Sequence, residues 1–179
     1  LGALGAKEEV PPLQVFATSH SPTTVTELSA HQLHIVRGVG GEHIVKRASD
    51  AGDVQGTIRA HAHALLATSI VVCEGGSEIG LIRGLDQHFT RAGETSLAAC
   101  GATLVNGNGD ETFSRANAFQ SLGYRVAILR DSDKPAPAQP EAAFLAGGGK
   151  VFAWAAGRAL EQELFAALPD GPAAKLSDL

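Results

Sequence analysis

Hydrophobic and polar positions change rhythm near residue 50, and the change divides the chain in two. In the first segment apolar stretches are short. Leu13-Gln-Val-Phe-Ala17 reads as a strand ended by Ser19, Ser21 and Pro22. Gln32 to Arg37 alternates as a second strand. Gly38, Gly40 and Gly41 supply a turn, and His43 to Arg47 is its hairpin partner. Polar and glycine residues from Ser49 to Gly52 mark a boundary. Beyond it, helical and strand periods alternate. Asp53 precedes a helical stripe of Val54, Ile58, Ala62 and Leu65. Ser69–Cys73, Ala102–Asn106, Arg125–Arg130 and Lys150–Trp154 read as strands, the first and third as runs buried on both sheet faces. Ser77–Arg91, Glu111–Leu122 and Gly157–Leu168 read as the helices between and after them, and the Pro135, Pro137, Pro140 stretch as a loop. Strands alternating with helices predict an α/β fold: a Rossmann-like parallel sheet with helices on both faces, preceded by a small hairpin segment.

Composition narrows this picture. The chain has 179 residues, 44% hydrophobic and 18% charged, enough to build a core. No apolar run approaches the roughly 20 residues of a membrane helix, and no secretory signal is evident, so a cytoplasmic protein is expected. The sequence contains no methionine and starts at Leu1, which suggests a fragment of something larger. Cys73 and Cys100 have no metal-binding spacing and are expected as buried thiols. A net charge of −5 argues against a broad basic surface for nucleic acid. It leaves room for carboxylates that hold cations, which in turn meet a polyanion.

Two predicted strands run directly into such carboxylates. Chemistry in open parallel sheets gathers at the carboxyl ends of strands. The first strand ends Val71-Val-Cys-Glu74-Gly-Gly-Ser-Glu78, with Glu78 in the first turn of the next helix, where the macrodipole favours an anion. The third ends Leu129-Arg-Asp131-Ser-Asp133, and in extended backbone residues i and i+2 face one way. Singly, each pair reads as helix-start or turn residues. Four converging carboxylates repel one another unless cations intervene, and Mg²⁺ suits such hard oxygen ligands.

Val72-Cys-Glu74-Gly-x-x-Glu78, followed by Leu129-Arg-Asp131-Ser-Asp133, resembles the Toprim domain of primases, topoisomerases and several nucleases. Glu78 and the stretch Val151-Phe-Ala-Trp154-Ala-Ala-Gly157-Arg-Ala-Leu-Glu161 resemble OLD-family (overcoming lysogenization defect) endonucleases. Gln14-Val-Phe-Ala-Thr-Ser-His20-Ser-Pro22 is similar to the switch-histidine loop of ABC-type ATPases. The resemblance therefore implies residues 1–50 as the end of an ATPase domain and 51–179 as a Toprim nuclease. No Gly-x-x-x-x-Gly-Lys-Ser/Thr loop is present, so His20 has no ATP-hydrolysing role in this chain alone. OLD proteins also share a later lysine that has no evident counterpart here.

What the resemblance implies is Mg²⁺-dependent cleavage or nicking of DNA by two ions, with Mn²⁺ or Ca²⁺ able to occupy the site. Glu78, Asp131 and Asp133 are expected as ligands, and Glu74 as a ligand or general base. Glu161 is a further ligand candidate, and Ser132 either binds through its hydroxyl or shapes the turn. Arg130, Lys134, Lys150 and Arg158 are expected near the same edge as phosphate contacts. The expected partners are DNA and the ATPase region of a longer protein, through which oligomers form, with no membrane. His61-Ala-His63 lacks the i, i+4 spacing of a metal site and reads as ordinary helix histidines; Trp154 reads as core. Two rivals remain: a haloacid-dehalogenase-like phosphotransferase using Asp131, and a non-catalytic metal-binding regulatory domain.

Overall fold

A computed structural model describes residues 15–49 and 52–167. After an irregular stretch come helix α1 (Pro22–Thr26), strands β1 (His34–Val39) and β2 (Glu42–Arg47), and helix α2 (Gly52–Ala60). Then follow β3 (Ser69–Cys73), α3 (Gly76–Arg91), β4 (Ala102–Asn106), α4 (Thr112–Ser121), β5 (Arg125–Arg130), α5 (Ala138–Ala146), β6 (Lys150–Ala153) and α6 (Leu160–Ala167). β1 and β2 form an antiparallel hairpin, and β3 to β6 form a parallel sheet in the order β4-β3-β5-β6. The predicted α/β fold is present. The order places β3 and β5, the two strands that lead into acidic residues, side by side at the centre.

One face of the sheet is dry. Ile70, Val72, Val105, Val126 and Ile128 are buried against Phe113, Ala116 and Phe119 of α4, Val54 and Ile58 of α2, and Phe144 of α5. Val25, Ala30 and Ala48 belong to the same core, so packing is continuous across position 50. The other face is only half covered. Val71, Ala127 and Leu129 are partly exposed, and Leu85 and Phe89 on α3 and Phe152 on β6 are open to solvent. The expectation that β3 and β5 are buried on both faces is therefore corrected: burial alternates along each strand, with the same apolar runs facing two different environments.

Further expectations change. No strand forms over residues 15–17, which are irregular and exposed, while residues 13 and 14 lie outside the described residues. Without a pairing partner, the extended segment has nowhere to place its backbone hydrogen bonds. The proline-rich loop contains α5. Pro140 sits in its first turn, where a missing N–H is harmless, and Phe144 is fully buried. Cys100 is exposed, in the turn before β4; only Cys73 is buried. The last helix starts at Leu160, later than expected, and its Leu164 is exposed, so the expected apolar stripe is not a buried one. Leu168 lies outside the described residues. No helix among the described residues is long and apolar enough to cross a membrane.

One glycine fixes how closely β4 ends against β3. Gly107 donates its N–H to the Cys73 carbonyl, and a Cβ there would stand 2.7 Å from that oxygen and collide with the Thr112 hydroxyl. Phe119→Ala, on the dry face, is expected to lower stability by about 3–5 kcal/mol. Phe89→Ala, on the half-covered face, should change it by less than about 1 kcal/mol. Urea unfolding of the two variants checks which face is the core.

Candidate metal site at the carboxyl edge of the sheet

The ladder between β3 and β5 continues past the strand end. Glu74 donates its backbone N–H to the Leu129 carbonyl at 2.9 Å. Its side chain turns towards the next strand, where Oε2 accepts the Asp131 N–H at 3.0 Å and lies 3.8 Å from Arg130 Nε. Burial pushes the Glu74 carboxyl group above its usual range. The Asp131 N–H and Arg130 oppose that rise, while the negative charges of Asp131 and Glu78 add to it. Asp131 and Glu78 are thus both within electrostatic reach of Glu74 at one edge.

Each of the other two has found a helix start. Glu78 is buried, and its Oε2 accepts the Gly75 N–H at 2.8 Å, satisfying one free donor at the start of α3. It is not the solvated residue that a helix-start glutamate usually is. Asp131 Oδ1 accepts the Leu160 N–H at 3.0 Å, which closes the start of α6 in the same way. That contact draws Glu161, exposed in the first turn of α6, to the same edge.

Ser132 fastens the loop between β6 and α6. Its hydroxyl donates to the Ala155 carbonyl and accepts the Arg158 N–H at 3.2 Å. Its backbone N–H donates to the Arg158 carbonyl at 3.0 Å, and its carbonyl accepts the Gly157 N–H at 3.2 Å. With its hydroxyl committed, Ser132 shapes the turn. The chain bends after Asp131, so the extended-backbone premise for aiming Asp131 and Asp133 together does not hold; Asp133 is exposed within the bend. Trp154, half-buried rather than core, starts this loop, and its indole nitrogen is buried without a hydrogen-bond partner.

The expected phosphate contacts separate. Arg130 lies against Glu74 and donates to the Lys134 carbonyl at 2.7 Å, and Arg158 pairs with Glu163 at 3.1 Å. Lys134 is exposed beside Asp133. Lys150 does not share this edge: it opens the short strand β6 in register with Ala127, level with the middle of β3 and below the carboxyl end of the sheet. The predicted strand over Lys150–Trp154 already makes Lys150 a strand start, which is incompatible with a place at the carboxyl edge.

A second cluster supports β4. Arg115 donates to the Asn106 carbonyl at 2.8 Å, to Glu111 and to Nε2 of His61. His61, read from sequence as an ordinary helix residue, lies just beyond α2 as an acceptor and is therefore neutral. Burial, Arg115 and His63 together push its pKa down to about 4. The Asn106–Gly109 turn meanwhile holds the end of β3, with the Gly109 N–H on the Glu74 carbonyl at 2.9 Å. The sequence held no signal for the His61–Arg115 contact, which joins residues 54 positions apart.

Residues 65–133 match the family model described as "Overcoming lysogenization defect protein-like, TOPRIM domain". Over those residues the chain is similar to an OLD-like Toprim domain. The match includes Glu74, Glu78, Asp131, Ser132 and Asp133 and ends before α5. Neither the curated proteins nor the solved structures yielded a match. Toprim domains bind divalent metal ions, commonly Mg²⁺, and are typical of nucleic-acid-processing enzymes. The donor chemistry of this Toprim edge fits such an ion: hard carboxylate oxygens, half-buried, whose mutual repulsion a cation would relieve. Among the described residues no group of three His, Cys, Asp or Glu is close enough to hold one. Glu78 and Asp131 would have to exchange their backbone donors for the ion.

The neutral state of His61 has a pH consequence. Its folded pKa of about 4 lies below the ordinary 6.5, so in that window the unfolded chain binds more protons. Stability from this group is fully present above about pH 6.5 and is lost as pH falls towards 4. Thermal melts from pH 4 to 7 should show that decline, and His61→Asn should flatten it. An unchanged profile in the variant would place the pH dependence elsewhere.

Proposed function

We propose that the Toprim edge of this chain is a metal-dependent endonuclease site that cleaves or nicks DNA phosphodiester bonds. The observation that supports this most directly is the Glu74–Asp131 junction, a carboxylate from β3 seated on the backbone of the β5 terminus within the Toprim match. In this reading Glu74, Glu78 and Asp131, with Asp133 and Glu161, would hold the metal once the bend and the helix starts yield their side chains. Mg²⁺, bound as a pair in this reading, supplies Lewis-acid charge that offsets the carboxylates and the charge developing on the phosphodiester oxygens. A water forms the new bond to phosphorus as the bond to one sugar oxygen breaks. The water gives up its proton to a carboxylate, for which Glu74 is the candidate, and the departing sugar oxygen gains one. Ser132 and the Asp131–Leu160 contact position the edge by fixing the loop that precedes α6. In this reading residues 1–50, including His20, are the end of an ATPase domain, and the nuclease acts as part of a larger ATPase–nuclease.

Glu74→Gln and Asp131→Asn keep an acceptor oxygen for the Asp131 and Leu160 N–H groups and remove charge alone. Each is expected to reduce nicking of supercoiled plasmid in Mg²⁺ or Mn²⁺ by about 100-fold or more while the melting temperature is nearly retained. EDTA should abolish nicking by the unsubstituted chain. Cleavage that survives both substitutions would reject this site. An aspartyl-phosphate adduct on Asp131 would instead support the phosphotransferase reading.

A further inference from the structure

The displacement of Lys150 from the carboxyl edge reveals a different surface. Lys150 opens β6 in register with Ala127. Arg125 opens β5 two residues earlier and, by strand alternation, points to the same face as Ala127. Strand spacing and rise put the two Cα atoms roughly 8 Å apart. The hairpin adds two more cations just before β5, at Gly123 and at Tyr124, whose ring belongs to the dry-face core. Arg37 stacks over the Tyr124 ring at 4.2 Å and donates to the carbonyls of Thr68 at 2.7 Å and Gly123 at 3.3 Å. Lys46 lies across Gly123, where a Cβ would meet its Cγ at 3.5 Å. Arg37, Lys46, Arg125 and Lys150 are therefore gathered around the amino ends of β5 and β6.

No carboxylate among the described residues forms an ion pair with any of the four, and Lys46, Arg125 and Lys150 are exposed. The hairpin's own acid, Glu42, is at its tip, in register with Val39 and four residues from Lys46. Asp86, near the start of β4, accepts the Leu97 N–H. In a chain of net charge −5, these four cations have no carboxylate partner among the described residues.

We propose that this amino-edge surface, built by the hairpin and the starts of β5 and β6, binds a nucleic-acid backbone. Repeated phosphates can meet several separated cations at once, as a single small anion cannot. Along the strands Arg125 is about 17 Å from Glu74 and Lys150 about 10 Å, or roughly five and three base pairs of duplex. It would hold substrate at a distance from the carboxylates without drawing on them. This deepens the proposed function and rests on its choice of DNA as substrate.

Equilibrium binding of a fluorescein-labelled 30-base-pair duplex, measured in EDTA across a salt series, separates this surface from the metal site. The triple variant Lys46→Gln, Arg125→Gln, Lys150→Gln is expected to lower the slope of log affinity against log salt by roughly 2 to 3 and to weaken binding tenfold or more. Its melting temperature should stay near that of the unsubstituted chain. A control triple on α2 and α3, Arg59→Gln, Arg83→Gln, Arg91→Gln, should leave the slope nearly unchanged. An unchanged slope in the first variant, or an equal fall in the control, would overturn the inference. Polyglutamate competing as well as duplex would overturn nucleic acid as the partner. Duplex binding that needs these residues, without any plasmid nicking, would retain this surface and reject the endonuclease reading instead.

Discussion

The carboxyl edge depends on one constraint: acidic side chains leaving the sheet in a half-dry place must find donors. Backbone N–H groups meet that need. Glu74 takes the amide of Asp131, Asp131 takes that of Leu160, and Glu78 takes that of Gly75. Each contact does structural work as well, joining β5 to β3, closing the start of α6 and closing the start of α3. The side chains with the right chemistry for a hard cation are thus also those that hold three elements together. A cation entering this edge competes with peptide donors, and its binding is coupled to the geometry of the loop that Ser132 fastens.

The core supports that edge from one side. Ile70, Val72, Val126 and Ile128 lie on the dry face and fix β3 beside β5. Cys73, the last residue of β3, points to the other face yet is fully buried, with its thiol pushed up to about 12 by burial and by Glu78. Glu78 therefore helps seal the half-covered face at the point nearest the site. Further along α3, Leu85 and Phe89 remain open. Burial is concentrated where the carboxylates need a rigid base.

Legibility followed the range of the interactions. The β3, β4 and β5 runs could be read to the residue because a short apolar run bounded by turn residues is a local signal. Glu74, Glu78 and Asp131 could be singled out for the same reason, each following a strand. What could not be read depended on distant partners. Whether an apolar run is covered on one face or two is decided by helices elsewhere in the chain, and α3 covers its face only in part. The aim of Asp133 depended on a bend that Ser132 makes with residues 155–158. His61 acquires its role from Arg115, and α5 was hidden by prolines that a helix tolerates in its first turn.

Net charge was the least informative quantity, because it averages over a molecule whose sheet ends differ in sign. Glu74, Glu78, Asp131, Asp133 and Glu161 lie towards the carboxyl end, while Arg125 opens β5 at the amino end and Lys150 opens the shorter β6 midway along its neighbours. A parallel sheet imposes this separation: every strand starts towards one edge and ends towards the other, so charges placed at strand boundaries are sorted by polarity of the chain. Within a few ångströms of either edge the local field is set by these groups rather than by the sum over all residues, since screening confines each charge to about 8–10 Å at ordinary ionic strength. The sign that a polyanion meets is therefore a property of the edge it approaches. At the carboxyl edge that sign is reversed only by bound cations, and at the amino edge it is favourable without them.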